Sequence, residues 1–469
     1  MDFDPVFLSR IQFAFVVTFH IIFPSYTIGL AAWLATLEGM ALATGKPVYR
    51  RVFDFWLRVF AVSFGMGVVS GIVMAFQFGT NWSAMAERTG PIQGPLLAYE
   101  SFTAFLLEAS FLGVVLLGRA RVPPALYLFA CCMVALGTMA SSFWIMCNNS
   151  WMQVPLGHTI VDGKVIPADW WTITTGPVVR WRWPHMLLGA FLTTAMTVVA
   201  TGAWYTLRGM HRAEARVMLS WGLALAAVLI PVQIAVGHFT GDVVHTYQPA
   251  KFAAIEARWK TQQPASEVII GIPDESAGRN LFALEVPRLG SFIASGTWDS
   301  REIGLDSIPA QDRPPVLVPF FGFRIMVGMG LAMLAVSWLG LVLRWRGTLE
   351  TARWFLWAAF LSFPTGFVAV IAGWYTAEVG RQPWIVYGLL RTRDGVTPSL
   401  TTETVLMSFA VYVTVYLIVF GFGAHYIYRL LRDGPTPGDP VPRVTAGSRP
   451  MAFAGSAAST TGGDVKARE

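Results

Sequence analysis

Residues 11–37 read IQFAFVVTFHIIFPSYTIGLAAWLATL, an apolar run that contains no Asp, Glu, Lys or Arg. About 20 apolar residues, each rising about 1.5 Å along a helix, cross the hydrocarbon core of a bilayer. The run is too long for the apolar part of a secretory signal, and the chain begins with the acidic Met-Asp-Phe-Asp, where a signal would be basic. It therefore predicts the first span of a membrane protein, with one ionisable residue, His20, inside it.

Further apolar runs of similar length follow along the chain. Only 13% of the residues are charged, against about a quarter in soluble domains, and 54% are hydrophobic. The mean hydropathy of +0.53 agrees with a chain that is mostly shielded from water. We therefore expect an all-α integral membrane protein with about nine transmembrane helices in a bundle. The other spans are predicted near residues 55–78, 97–117, 125–147, 184–207, 218–238, 320–343, 354–376 and 404–428.

Basic residues gather in alternate connections between these spans. The groups are Lys46, Arg50 and Arg51; Arg119 and Arg121; Arg208, Arg212 and Arg216; Arg344, Arg346 and Arg353; Arg429 and Arg432. The positive-inside rule places these connections in the cytoplasm, with the N-terminus outside and the C-terminus inside. Because this distribution accounts for the formal net charge of +6, no nucleic-acid partner is expected.

The chain divides into four parts by composition. Residues 1–238 hold helices one to six, and residues 320–432 hold helices seven to nine. Residues 239–319 are polar and hold Gly, Pro, Lys and Glu, which predicts a loop domain outside the membrane. Residues 433–469 contain mainly Pro, Gly, Ser, Thr and Ala, which predicts a disordered cytoplasmic tail.

Ligand-type and acidic side chains occur within or at the ends of the predicted spans, where lipid makes ionisable groups costly. They are His20, Glu100, Glu108, His185, Met326 and Glu378. A lone buried His or Met is often a packing residue, and a buried Glu is often satisfied by a neighbouring hydroxyl, so none is decisive alone. With the N-terminus outside, however, these positions converge on the outer leaflet, which predicts a common site there.

The residue types point to haem and proton chemistry. His and Met from different helices are the axial ligand types of a low-spin haem, and a lone His or carboxylate would leave one iron face open for O₂. Arg324 and Arg381 would then pair with haem propionates, and Trp374 would fill the space between sites. Glu100 and Glu108 lie a little over two helical turns apart, which suits a proton relay. On composition and topology alone, a redox protein and a secondary transporter without haem remain equally open.

Four motifs carry a family resemblance. They are GWYTAEVGRQPW at residues 373–384, FRIMVG at 323–328, GHFTGD at 237–242, and Gln-Pro-x-Lys-x-Ala-Ala-x-Glu from Gln248 to Glu256. Together they resemble subunit I of the cytochrome bd-type quinol oxidases over roughly residues 5–430. The most specific of them is the GRQPW signature within the first.

The resemblance implies a role for each of these residues. His185 and Met326 would be the axial ligands of a low-spin haem b. His20 and Glu378 would ligate two high-spin haems, one of type b and the other of type d or a further haem b. Glu100 and Glu108 match the proton path, and Asn149 matches a polar residue of a related path. Lys251 and Glu256 match the periplasmic quinol-binding loop.

It also implies the reaction and the partners. The protein would be a quinol:O₂ oxidoreductase of a bacterial inner (plasma) membrane, electrogenic but non-pumping, with a periplasmic quinol-binding loop. It would pair with a second membrane subunit (subunit II) and with a single-helix small subunit. The loop between residues 239 and 319 is short, as in the cyanide-insensitive branch, some members of which use b-type haems only.

Overall fold

The computed structural model describes residues 4–435, and within that range nine helical segments are long and apolar enough to cross a membrane. The predicted tail at 433–469 falls almost entirely outside the described residues. The prediction of a nine-span helical membrane protein is confirmed. In chain order the helices are α1 (Pro5–Ile22), α2 (Pro24–Thr44), α3 (Pro47–Thr80), α4 (Ser83–Tyr99), α5 (Leu106–Leu117), α6 (Pro124–Gln153), α7 (Trp170–Thr175), α8 (Pro177–Arg208), α9 (Arg212–Tyr247), α10 (Pro249–Ile255), α11 (Leu289–Ser295), α12 (Leu317–Trp345), α13 (Arg353–Leu361), α14 (Thr365–Val379), α15 (Thr392–Gly395) and α16 (Thr402–Asp433).

Four of the nine spans contain an interruption. The pairs α1–α2, α7–α8 and α13–α14 each form one span, and α4 joins α5 through a π-helix at Glu100–Phe105. Proline explains two of these features: Pro24 opens α2 after the break at Phe23, and Pro95 lies in α4 one turn before the π-helix. A proline nitrogen donates no hydrogen bond, so breaks and kinks concentrate beside it.

Most helices extend beyond the predicted spans. The predicted third span began at residue 97, whereas the helical segment begins at Ser83. Likewise α6 continues to Gln153 and α9 continues to Tyr247, so both enter regions predicted as loops. The outer turns of these helices carry polar residues, so hydropathy does not mark them.

Within residues 4–435, three two-stranded antiparallel hairpins lie in the connections. Their strands are β1 (His158–Val161) with β2 (Lys164–Pro167), β3 (Glu267–Asp274) with β4 (Arg279–Val286), and β5 (Trp384–Val386) with β6 (Leu390–Arg391). The connection from α9 to α12 holds α10, the β3–β4 hairpin, α11 and two short 3-10 turns at Leu305–Ser307 and Ala310–Asp312. We call this connection, residues 248–316, the α9–α12 loop, and the side of the bundle that it covers the loop end.

The helix α8 lies at the centre of the bundle and packs against α2, α6, α9, α13 and α14. Its span is the most buried of the nine. Close approach to α2 depends on Gly29, because a β-carbon there would lie 2.5 Å from Thr194 Oγ1 and 2.9 Å from the Ala190 carbonyl oxygen. The Thr194 hydroxyl also donates to the Tyr26 carbonyl across this interface, at 2.7 Å. Small residues are what allow membrane helices to pack this closely.

We expect Gly29→Ala to destabilise the bundle by about 1–3 kcal/mol, because the added methyl group forces α2 and α8 apart. Gly65→Ala is the matched control, since a β-carbon on this helical glycine of α3 would have no neighbour within 4 Å. Thermal unfolding of both purified variants in detergent measures the difference. Equal midpoints for the two variants would contradict the packing argument.

Candidate functional site

The four predicted iron ligands lie on α14 and on three helices that pack against it. Glu378 belongs to α14 itself, while His20, His185 and Met326 come from α1, α8 and α12. A hydrogen bond of 3.0 Å between the Thr18 and Tyr375 hydroxyls joins α1 to α14. The helix α14 therefore brings together residues that lie more than 350 positions apart in the sequence.

The Trp374 side chain of α14 lies in the same region, half-buried. Its ring meets that of Tyr375 edge-on, with centroids 5.3 Å apart. This placement agrees with a ring that fills space between sites, although the role itself stays a prediction.

The His20 ring is held by a hydroxyl on α3. Nδ1 lies 3.0 Å from Ser70 Oγ, and the single hydroxyl proton of Ser70 is directed to the Met66 or Gly67 carbonyl. When the Ser70 hydroxyl donates to either carbonyl, its oxygen accepts from His20, which puts the proton on Nδ1 and leaves the Nε2 lone pair available. A second partner that fixes the tautomer in this way is typical of metal-binding histidines.

The His185 and Met326 side chains each face a glycine on a neighbouring helix. A β-carbon on Gly237 would lie 3.2 Å from His185 Cε1, and one on Gly373 would lie 2.7 Å from the Met326 sulfur. The His185 Nδ1 atom is buried without a hydrogen-bond partner among residues 4–435. An unpaired buried nitrogen costs about 1–3 kcal/mol, so a ring like this one is expected to have a further partner. The residues present thus fit an imidazole–thioether pair of haem ligands.

The Glu378 carboxylate is held by three donors at the loop end. Asn149 Nδ2 and Gln153 Nε2 donate to one oxygen at 2.9 and 3.0 Å, and Arg381 Nη2 donates to the other at 2.5 Å. Arg182 Nη2 in turn donates to Asn149 Oδ1 at 2.7 Å. The Arg381 Nε and Nη1 atoms are buried without partners in the described part of the chain, so they fit a further anion such as a haem propionate.

The two predicted proton-path residues meet a second part of α6. The Ser141 hydroxyl donates to Glu100 at 3.1 Å, and a β-carbon on Gly137 would lie 2.6 Å from Glu108 Cγ. Glu108 is only 6% exposed, and Glu100 is the first residue of the π-helix. Such helices are rare and often mark functional positions.

A ridge of α6 connects these groups. Gly137, Ser141, Asn149 and Gln153 lie at intervals of four or eight residues, along an i+4 ridge that turns about 160° around the helix axis from Gly137 to Gln153. We call these four residues the α6 row. From its first member to its last it runs from Glu108 past Glu100 to Glu378, over about 24 Å.

Lys251 of the predicted quinol loop reaches the far end of the α6 row. Its ammonium group donates to Gln153 Oε1 and, at 2.8 Å, to Gln248 Oε1. Its stem passes close to Gly380, where a β-carbon would lie 2.9 Å from Lys251 Cγ. Burial lowers the pKa of Lys251 well below its usual range, and the nearby cations Arg182 and Arg381 lower it further against the opposing effect of Glu378.

Glu256 takes part in a separate cluster. It forms an ion pair of 3.4 Å with Arg324, which also pairs with Glu267 at 3.3 Å. Burial, together with the neighbouring Glu256, raises the pKa of Glu267. Within the described residues, Glu256 makes no hydrogen bond or ion pair with Lys251. The two motif residues therefore contact different groups.

The predicted role of Arg324 does not fit this arrangement. Its three nitrogens all donate to the α9–α12 loop or to its own helix, with acceptors that include the Ile255, Val268 and Phe320 carbonyls. The guanidinium also stacks 3.6 Å from the Phe320 ring centroid. Its donors are therefore engaged in holding the loop, and none is left for a haem propionate.

Sequence reasoning missed several residues of the site. Gln248 was quoted only as a motif letter, although it donates to Gln153 as well as accepting from Lys251. The four-residue spacing of Asn149 and Gln153 is a signal that could have identified Gln153. Glu267 and Arg182 carried no local signal, because their partners lie far away in the sequence.

Comparison with known proteins agrees with this geometry. The cytochrome bd terminal oxidase subunit I family model matches residues 8–435. The cytochrome bd ubiquinol oxidase subunit 1 of Bacillus subtilis (strain 168) is 33% identical over 441 residues, which cover 91% of this chain and 92% of that protein. The cytochrome bd-II ubiquinol oxidase subunit 1 of Escherichia coli (strain K12) is 30% identical over 501 residues, covering 92% of this chain and 97% of that protein.

A solved structure extends the likeness to three dimensions. The bd oxidase from Geobacillus thermodenitrificans matches with a TM-score of 0.85 and 29% sequence identity, over 92% of this chain and 100% of that chain. Family model, sequence and structure thus agree over nearly the whole length. The chain is a membrane-spanning member of the cytochrome bd terminal oxidase subunit I family.

Proposed function

We propose that this chain is the haem-bearing subunit of a terminal respiratory oxidase that oxidises quinol and reduces O₂ to water. One observation carries the proposal: the four predicted ligands lie on α14 and on helices that pack against it, and a His185 nitrogen and two Arg381 nitrogens are buried without partners among residues 4–435. A haem-free transporter would have no use for this set. Family membership further favours the oxidase.

The cofactor assignment follows the donor chemistry. His185 and Met326 hold a low-spin haem b, His20 holds one high-spin haem and Glu378 holds another, with Arg381 pairing with a propionate. One high-spin haem is of type b and the other is haem d or a further haem b. The bound haems supply electron transfer and the reduction of O₂. The short α9–α12 loop favours the cyanide-insensitive branch, some members of which use b-type haems only.

Protons for O₂ reduction come from the cytoplasm through Glu108 and Glu100. The α6 row supports this path, because it places a hydroxyl beside Glu100 and amide groups beside Glu378. The basic connections put the loop end on the periplasmic side. Protons are thus taken up on one side and released on the other, which generates a proton motive force without pumping.

Quinol is oxidised at the α9–α12 loop. Lys251 is placed to donate a hydrogen bond to a quinol oxygen, and Glu256 is placed to accept a proton. Arg324 keeps the two loop carboxylates Glu256 and Glu267 together beneath the β3–β4 hairpin. The complex lies in a bacterial inner membrane and includes a second membrane subunit and a single-helix small subunit.

A reduced-minus-oxidised spectrum of the purified complex, with pyridine haemochrome analysis, tests the function directly. We expect a Soret band, a low-spin b-type band, and signals that count the high-spin haems and identify their type. A colourless preparation would instead support the transporter.

We expect Gly373→Ala to weaken or abolish the low-spin haem band, because the new methyl group would displace the Met326 sulfur. Met326→Leu should remove the same band by deleting the ligand. The matched control is Gly328→Ala, two residues from Met326 on α12, where a β-carbon meets nothing within 4 Å. A full low-spin band in Gly373→Ala and Met326→Leu would refute the ligand assignment.

Glu108→Gln should lower O₂ uptake at least 100-fold or strip the high-spin haems, since a general acid or base contributes about 10²–10⁴-fold. Glu87→Gln on the exposed surface of the same span is the control and should keep both activity and haem. Oxygen electrode rates are compared per haem. Normal turnover in Glu108→Gln with full haem content would exclude its role.

Lys251→Met should raise the KM for quinol or lower kcat at least tenfold, because a buried donor to the substrate is lost. Haem content should be retained. The exposed Lys260→Met is the matched control on the same loop. Unchanged quinol kinetics in Lys251→Met would remove this residue from the quinol site.

A further inference from the structure

A cavity of about 320 Å³ lies where the end of α9 meets α10 and residues 301–303 of the α9–α12 loop. Its walls include His245, Phe252, Arg301 and Glu302. Small-molecule sites begin at about 300 Å³, so the cavity is large enough for a single aromatic ring with its substituents. None of these four residues belongs to the ligand, proton or loop clusters described above.

A histidine–carboxylate pair lies in the wall of this cavity. His245 Nε2 is 2.8 Å from Glu302 Oε2, and Glu302 is only 1% exposed. The other Glu302 oxygen accepts from the Ser300 hydroxyl at 2.6 Å, and the Glu302 backbone pairs with Gln262 in both directions. The carboxylate is therefore fixed in position before anything binds.

This arrangement sets the tautomer of His245. An ionised carboxylate only accepts hydrogen bonds, so Nε2 carries the proton and donates it to Glu302. The lone pair is then on Nδ1, for which residues 4–435 provide no hydrogen-bond donor. A base nitrogen oriented by a carboxylate on its far side is the arrangement of histidines that act as general bases.

The cavity adjoins the proposed quinol loop through α10. Phe252 lies edge-on to His245, with ring centroids 4.8 Å apart, while its neighbour Lys251 points to Gln153. The guanidinium of Arg258 lies 5.6 Å from the Phe252 ring centroid, and none of its nitrogens has a partner in the described segment. The cavity itself is thus lined by an aromatic ring (Phe252), a cation (Arg301) and a base (His245), with Arg258 behind the Phe252 ring.

We propose that this cavity binds the quinol head group and that His245, positioned by Glu302, accepts one of its two hydroxyl protons, as a second acceptor besides Glu256. The inference rests on the proposed quinol oxidase function and adds a catalytic residue to it. Conversion of quinol to quinone breaks two O–H bonds and releases two electrons and two protons. The bound haems would supply the acceptor for the electrons. His245 Nδ1 takes one proton and passes it to water at the loop end, and Glu256 takes the other.

The test compares two electron donors in the complete complex. Ubiquinol-1 must lose hydroxyl protons, whereas tetramethyl-p-phenylenediamine gives electrons without a hydroxyl group. We expect His245→Gln to lower kcat with ubiquinol-1 about 100-fold or more and to leave haem content and the diamine oxidase rate unchanged. His238→Gln, an exposed histidine two turns earlier on α9, should keep both rates.

Two further variants separate the base from the pocket. Glu302→Gln removes the negative charge beside His245, so the fall of kcat at acid pH should move to lower pH, with Arg301 and Arg258 as the remaining charged groups nearby. Thr246→Trp, which places a large ring in the cavity wall, should raise the KM for ubiquinol-1 at least tenfold without affecting the diamine rate.

The possible outcomes distinguish a failure of the inference from a failure of the proposed function. A His245→Gln enzyme with normal ubiquinol-1 turnover overturns the inference and leaves the oxidase function intact. If His245→Gln loses haem, the other two variants provide the test. An unchanged pH profile in Glu302→Gln, together with an unchanged KM for ubiquinol-1 in Thr246→Trp, overturns the inference. Absence of haem and of O₂ uptake in the unmodified complex would instead refute the proposed function itself.

Discussion

Close approach to one helix is the constraint on which the site depends. Gly366 and Gly373 of α14, and Gly380 directly after it, recur every seven residues, and each would clash with a neighbour if it carried a β-carbon. The clashing atoms would be Thr193 Cα at 2.5 Å, the Met326 sulfur at 2.7 Å and Lys251 Cγ at 2.9 Å. Lipid gives helices little hydrophobic reason to associate, so packing of this kind holds the bundle together. The same packing brings Met326 and the loop residue Lys251 to α14.

Burial of charge at the loop end follows from that packing. Glu378 and Arg381 form an ion pair whose side chains are only 13% and 6% exposed. Such a pair survives in a low-dielectric interior only when other donors and acceptors complete its hydrogen bonding. Asn149 and Gln153 supply those donors for Glu378, whereas Arg381 keeps two buried nitrogens unpaired. The unpaired hydrogen-bond donors therefore belong to Arg381, which is why an anionic group is expected beside it.

The outer loop is organised by two faces of the short helix α10. Lys251 and Glu256 are five residues apart, which is about 140° around a helix, so they point to different surroundings. One reaches the amides of Gln153 and Gln248, and the other reaches Arg324 and Glu267. Their closeness in the motif suggested a pair, but helical geometry separates them. Phe252, next to Lys251, forms part of a third environment around His245.

Sequence alone determined the span count and the helical class, because lipid requires long apolar segments, and it made each buried His or Glu conspicuous as a candidate ligand. It did not determine where helices such as α6 and α9 end, since their polar outer turns resemble loops. Only the tertiary structure decided that Arg324 anchors the loop, that Gln153 links Glu378 to Lys251, and that His245 faces Glu302. These contacts join residues 57 to 225 positions apart, and a hydrogen bond depends on distances in space that no local pattern records.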